Sequence, residues 1–85
     1  MENIPVTVQI LGREYRLTSP NPPEHMQRAA AYVDRKMREL NAAGLTGREA
    51  VSVMTALTLA DELLRAQDEN TRLRRKIYNN IWLIL

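Results

Sequence analysis

Residues 48–85 read REAVSVMTALTLADELLRAQDENTRLRRKIYNNIWLIL and contain neither glycine nor proline. Without these breakers, the segment predicts one continuous helix. Over residues 47–85 such a helix is about 39 residues and roughly 58 Å long, at 1.5 Å per residue. The rest of a chain of 85 residues is too small to cover a helix of that length. We therefore expect a second copy of the chain to cover part of it.

The helix changes character along its length. Between Val51 and Leu64, apolar residues lie on nearly all its faces, which is typical of a helix that is buried most of the way round. Beyond Leu64 they narrow to a seam with heptad spacing, which begins with Leu63 at position a. Both parts contribute to the expected oligomer interface, which comprises Val53, Ala56, Leu57, Leu59, Ala60, Leu63, Ala66, Asn70, Leu73, Ile77 and Ile84.

Charged residues flank this seam. A parallel pair of helices would bring Glu69 at position g of one chain to Arg74 at position e of the other. An antiparallel pair would bring Glu69 or Glu62 to Lys76. The sequence favours pairing of like chains and leaves the direction open, as it leaves dimer and tetramer open.

Two other interpretations compete for the same charges. Ordinary surface pairs four residues apart on one helix, Asp61 with Arg65 and Asp68 with Arg72, would account for part of them. The basic cluster at residues 72–76 (Arg72, Arg74, Arg75 and Lys76) would suit a small nucleic-acid-associated dimer. Acids adjoin that cluster, the net charge is only +2 and no aromatics interleave for base stacking, so nucleic acid is the alternative function and not the preferred one.

The N-terminal residues predict a β-hairpin. Apolar side chains alternate at Ile4, Val6, Val8 and Ile10, as in a strand with one buried face. Gly12 can adopt the positive φ of a tight turn, and residues 14–18 return as a second strand.

A first helix follows the hairpin. Asn21 is the expected N-cap, and Gly44 is the expected terminator. The apolar stripe of the helix consists of Met26, Ala29, Ala30, Val33, Met37 and Leu40. The predicted fold class is therefore α+β. Residues 1–46 form a small head of β-hairpin and short first helix, and residues 47–85 form a long C-terminal helix that makes a coiled coil.

Several classes of function find no support in the sequence. Cysteine is absent, His25 is the single histidine, and no catalytic constellation or phosphate loop is present, so we expect no enzyme and no cofactor. The longest apolar run is the last five residues, far short of the roughly 20 needed to span a bilayer. No signal peptide begins the chain, and we expect a cytoplasmic protein without a membrane partner.

The ordered combination of hairpin, short helix and long helix resembles the ZapA family of bacterial cell-division proteins. The resemblance covers roughly residues 5–70 and rests on three stretches, VTVQILGREYRL, AAAYVDRKMREL and AVSVMTALTLADELL. It implies a non-enzymatic homo-oligomer, a dimer that pairs into a tetramer. Such a protein binds the tubulin-like GTPase FtsZ and bundles its filaments at the division site, promoting Z-ring assembly. A coiled-coil adaptor for some other partner is the third possibility.

The resemblance also implies where FtsZ would bind. Family members use basic residues of the head, which here are Arg13 and Arg16 on the hairpin and Arg35, Lys36 and Arg38 on the first helix. Each is alternatively a solvated surface charge. Some relatives carry further basic residues where this chain reads NAAGLTG, so no contact is expected from that stretch.

Overall fold

The computed structural model describes residues 3–84. In chain order its elements are β1 (Ile4–Ile10), β2 (Arg13–Ser19), α1 (Pro23–Ala42) and α2 (Arg48–Ile84). The predicted α+β fold, with a hairpin followed by a shorter and a much longer helix, is confirmed.

The hairpin buries one of its faces. β1 and β2 pair antiparallel, with Val6 opposite Leu17 and Val8 opposite Tyr15. Val6 and Val8 are buried, as the alternation of apolar residues predicts. Ile4 lies on the same face but near its margin, where 40% of the residue stays exposed.

Two residues make the turn of the hairpin, and both have positive φ. Gly12 is at φ +79°, as expected, and Leu11 is at +50°. Positive φ at both central residues is the type I′ pattern, whose twist matches that of the flanking strands. For Leu11 this conformation is strained, because its Cβ approaches the backbone. The contacts that hold Leu11 there are therefore of interest for the site.

Helix α1 starts one residue later than the sequence suggested. Its N-cap is Pro22 and Pro23 is its first residue, so the prediction of Asn21 as N-cap is wrong. The carbonyl of Pro22 accepts the backbone N–H groups of His25 and Met26, at 3.0 and 3.2 Å. Since proline at the first helical position has no N–H, one fewer donor needs a cap, and no side-chain cap bond forms.

The helix ends as expected. Its last residue is Ala42, and Gly44 follows at φ +102°, a conformation that glycine adopts without strain.

The chain divides into two compact units, Met1–Thr55 and Ala56–Leu85. In the first, Val6, Val8 and Ala30 form the core, and partly buried Ile10, Leu17 and Met26 pack against them. The first unit also contains the start of α2, where Val51 is 1% exposed and Thr55 is 3% exposed. The second unit is the remainder of α2.

Candidate interaction surfaces

The hairpin turn is held by side chains from both helices. The backbone N–H of Leu11 donates to Oδ1 of Asp34 in α1 at 2.7 Å. Arg48, the first residue of α2, donates from Nη2 to the carbonyl oxygen of Leu11 at 3.3 Å and from Nη1 to the Tyr15 hydroxyl at 3.4 Å. We call Asp34 and Arg48 the turn clamp. These bonds fix both polar groups of the strained residue.

Asp34 carries the electrostatics of this clamp. The hydrogen bond from the Leu11 amide lowers the pKa of the Asp34 carboxyl, and Arg38 lowers it further against a smaller opposing effect of burial. Arg38 donates from Nε to Oδ2 of Asp34 at 2.8 Å. Its guanidinium therefore neutralises a carboxylate of its own chain, which makes Arg38 part of the support of the turn.

The two basic residues of the hairpin lie on opposite faces of it. Arg13 is opposite Ile10 and shares the face of Tyr15, whereas Arg16 is opposite Thr7 on the other face. Arg13 is exposed, and its side chain forms no ion pair with another residue among 3–84. The Arg16 side chain is 86% exposed and has Glu14 at 3.6 Å. Such an exposed pair contributes little to stability. Both charges are accessible to a partner.

The other candidates of α1 form an exposed aromatic and charged cluster. The guanidinium carbon of Arg35 lies 4.9 Å from the ring centroid of Tyr32, and Nζ of Lys36 lies 5.4 Å from it. Both distances are within the range of cation–π attraction. Glu39 lies 3.9 Å from each cation, and the Lys36 side chain is only 21% exposed. Arg35 is thus the more accessible charge of the pair.

Most of the expected interface residues on α2 are exposed in the single chain. The large apolar ones are between 44% and 60% exposed, namely Val53, Leu57, Leu63, Leu73 and Ile77. The smaller or polar ones are also exposed, namely Ala56, Ala60, Ala66 and Asn70, and Leu59 is half-buried. The side chain of Ile84 lies outside the described residues. Four further large side chains on α2 that the predicted interface did not include are exposed as well, namely Met54, Leu64, Tyr78 and Ile81.

The charges of the second unit pair within the helix. Arg65 donates from Nε to Asp61 at 2.9 Å, as expected for residues four apart. The expected pair of Asp68 with Arg72 is wrong, because Arg72 binds both carboxylate oxygens of Glu69, at 2.5 and 3.0 Å. A planar guanidinium favours such two-point contact over a single bond. The contact lowers the pKa of Glu69 and raises that of Arg72.

Two searches of the described chain bear on other functions. Among residues 3–84 no three His, Cys, Asp or Glu side chains gather where they could hold a metal ion. Within the same residues neither helix combines the length and the apolarity that a membrane crossing requires.

Comparisons with known proteins agree with this architecture. Residues 6–81 match the family model described as cell division protein ZapA. Two proteins named cell division protein ZapA are similar over most of their length. The one from Geobacillus kaustophilus is 33% identical over 73 residues, which are 85% of this chain and 80% of that protein. The one from Pseudomonas aeruginosa is 36% identical over 78 residues, with 85% and 75% covered.

Two solved structures share the fold. A ZapA mutant dimer from Geobacillus stearothermophilus aligns with a TM-score of 0.71 and 31% identity over 91% of each chain. A conserved bacterial protein of unknown function from Pseudomonas aeruginosa PAO1 aligns with a TM-score of 0.67 and 34% identity, also over 91% of each chain.

Proposed function

Because this chain belongs to the ZapA family of cell division proteins, we propose that it binds FtsZ and cross-links its filaments. In this proposal the protein acts without catalysis or cofactor, in the cytoplasm at the division site, where it promotes Z-ring assembly. Residues 1–46 act as the head that contacts the filament, and residues 47–85 act as the helix that joins copies of the chain.

The row of exposed apolar side chains on α2 carries this proposal. Large side chains such as Leu57, Leu63 and Ile77 are more than half exposed. Burying apolar surface stabilises an assembly by about 25 cal/mol per Å². A second copy of the chain supplies a matching surface, and the relative from Geobacillus stearothermophilus is itself a dimer. Pairing of two dimers through the seam gives a tetramer.

Self-association converts binding into cross-linking. A single head can decorate a filament but cannot join two of them. An assembly with two or more identical heads can hold two filaments at once, and the second contact then forms at a high effective concentration. Bundling should therefore need both an intact α2 surface and an intact head surface.

The head contact is assigned first to the hairpin, through Arg13 and Arg16. Arg13 has no ion-pair partner among residues 3–84, and the partner of Arg16 is exposed and loose. Arg35 and Lys36 are second candidates, because both are already placed by Tyr32 and Glu39. Arg38 ranks last, since its charge is matched by Asp34.

Sedimentation with assembled FtsZ tests the filament contact. The wild-type protein should pellet with the filaments at low salt and less so at high salt, because salt screens exposed charges. Arg13→Glu should lose most of the co-pelleting. Arg75→Glu changes the net charge equally on exposed helix surface and should bind normally. Absence of wild-type co-pelleting at low salt would contradict the proposal.

A second experiment separates binding from cross-linking. Ile77→Asp places a charge on the exposed seam and should lower the solution mass. It should also abolish the thickening of filaments seen by light scattering, while each head still binds. Arg75→Asp is the matched control on the same helix. If Ile77→Asp still thickens the filaments, α2 does not carry the cross-link.

The nucleic-acid alternative is less well supported. In the basic cluster at residues 72–76, Arg72 is already bound by Glu69 through two contacts. A mobility-shift assay with mixed-sequence DNA at moderate salt tests it directly, and binding that Arg75→Glu removes would favour it.

A further inference from the structure

The two edges of the hairpin are in different environments. Helix α1 packs on β1, and Gln27 of α1 donates from Nε2 to the carbonyl oxygen of Thr7 at 2.6 Å. Thr7 lies in the middle of β1, so this bond closes part of the outer edge of that strand. No comparable contact reaches the backbone of β2 from another described residue. The open edge of the sheet is therefore β2.

The register shows which groups point out of that edge. In a hairpin with a two-residue turn, the residues beside the turn form a hydrogen-bonded pair, here Ile10 with Arg13. The intervening residues of β2 direct their N–H and C=O groups away from β1. These are Glu14, Arg16 and Thr18. A row of such unpaired groups is a template for another strand.

The side chains along this edge are complementary to themselves. If β2 pairs antiparallel with β2 of a second copy about a two-fold axis at Tyr15, Glu14 of each copy lies directly opposite Arg16 of the other. The axis moved by one residue would instead set Glu14 opposite Glu14, or Arg16 opposite Arg16. Opposite charges facing each other stabilise a strand pair, and like charges destabilise it. The charge pattern thus selects one register.

Tyr15 fits the centre of that register. It is 40% exposed, and Arg48 holds its hydroxyl at 3.4 Å. The N–H and C=O of Tyr15 point toward Val8, its partner on β1. Across the axis the two Tyr15 residues would therefore form a non-hydrogen-bonded pair, the kind in which side chains approach closest. Aromatic pairs at such positions add to the stability of a sheet.

We propose that β2 is a second self-association surface, which pairs edge to edge with β2 of another copy of this chain about Tyr15 and forms a four-stranded antiparallel sheet. This surface is distinct from the apolar residues of α2. It does not depend on FtsZ binding. It gives Arg16 a partner in the second copy and leaves Arg13 on the other face of the strand.

Cysteine cross-linking tests the register. The chain has no cysteine, so an introduced one is the only thiol. In the proposed sheet the two Cα atoms at position 15 are about 4.5 Å apart, within the range that a disulfide spans. Tyr15→Cys should therefore give a disulfide-linked dimer under mild oxidation. At position 18 the two Cα atoms would be about 20 Å apart along the strands, so Thr18→Cys is the matched control. Equal cross-linking of the two variants would overturn the proposal.

Charge exchange gives an independent test in the Tyr15→Cys background. Glu14→Arg alone and Arg16→Glu alone set like charges opposite each other twice, and each should slow cross-linking about tenfold. The double variant, Glu14→Arg with Arg16→Glu, restores both opposite pairs and should recover the rate. A double variant as slow as the single ones would overturn the proposed register.

The same variants separate this surface from the filament contact. If Arg16 acts on FtsZ, the double variant recovers cross-linking but not co-sedimentation. Failure of all variants to bind FtsZ, with the cross-linking pattern intact, would reject the filament contact and leave the edge pairing standing.

Discussion

Thr55 in the first unit offers a test of how the start of α2 is packed. The residue is 3% exposed, and its hydroxyl has no hydrogen-bond partner among residues 3–84. Burying a hydroxyl without a partner costs about 1–3 kcal/mol in proteins. Valine has nearly the same shape and a similar helix propensity, so Thr55→Val removes that cost without opening a cavity. We expect it to stabilise the fold by about 1 kcal/mol, at the low end of the range.

The assay is urea or thermal unfolding followed by circular dichroism, at one fixed protein concentration because self-association raises apparent stability. A gain of about 1 kcal/mol in a domain of this size should raise Tm by about 4–8 °C. Thr71→Val makes the same change at an exposed position of α2 and should stay within about 0.5 kcal/mol of wild type.

Thr55→Ser completes the series, because it keeps the unpaired hydroxyl and removes a buried methyl group. It should lower the stability by about 1 kcal/mol. A Thr55→Val protein less stable than wild type would refute the reasoning. It would mean that the hydroxyl has a hydrogen-bond partner in the assembled protein, supplied by another copy of the chain.

Three further predictions concern the first unit. Val51→Ala removes two methyl groups from a residue that is 1% exposed and should lower the free energy of unfolding by about 2 kcal/mol, measured by urea denaturation. Gly12→Ala places a Cβ at φ +79° and should cost about 1–2 kcal/mol by the same measurement, whereas Gly→Ala at a position with negative φ would stabilise. Asp34→Asn keeps an acceptor for the Leu11 amide but has no carboxylate whose pKa is lowered on folding. The advantage of wild type over Asp34→Asn should therefore be full above pH 3.8 and disappear as the pH falls further, which paired urea midpoints at low and neutral pH will show.

Local patterns were sufficient to predict the elements of this fold. The alternation of apolar residues in β1 and the glycine after it imply a hairpin, because both signals act within a few residues. The absence of glycine and proline after Gly47 implies a long helix for the same reason. The error at the start of α1 was also local: two consecutive prolines moved the first helical residue to Pro23, beyond the position that Asn21 could cap.

The turn clamp could not be predicted in this way. Asp34 is 23 residues from Leu11 along the chain, and Arg48 is 37 residues from it. A leucine in a turn gives no sign that it will adopt positive φ, since most non-glycine residues avoid it. Only the packing of both helices near the hairpin brings an acceptor and a donor to this one residue.

Among the candidate site residues, one relation was open to prediction and was missed. Arg13 and Arg16 are three apart in a strand, and an odd separation places two side chains on opposite faces. The pairing of Arg72 with Glu69 was less accessible, because residues three and four apart on a helix are both neighbours. The choice between Glu69 and Asp68 depends on the orientation of the guanidinium.

The five basic residues of the head are therefore not equivalent probes of filament binding. Arg38 neutralises Asp34, and Asp34 holds the amide of Leu11 in a strained turn next to Arg13. Reversing the charge of Arg38 would leave Asp34 beside a second carboxylate and disturb the turn. FtsZ binding could then fall although Arg38 never touches the filament. Arg13 has no ion pair with residues 3–84, so a loss of binding on its reversal reports the contact itself. The difference between these two residues follows from one hydrogen bond to a backbone amide.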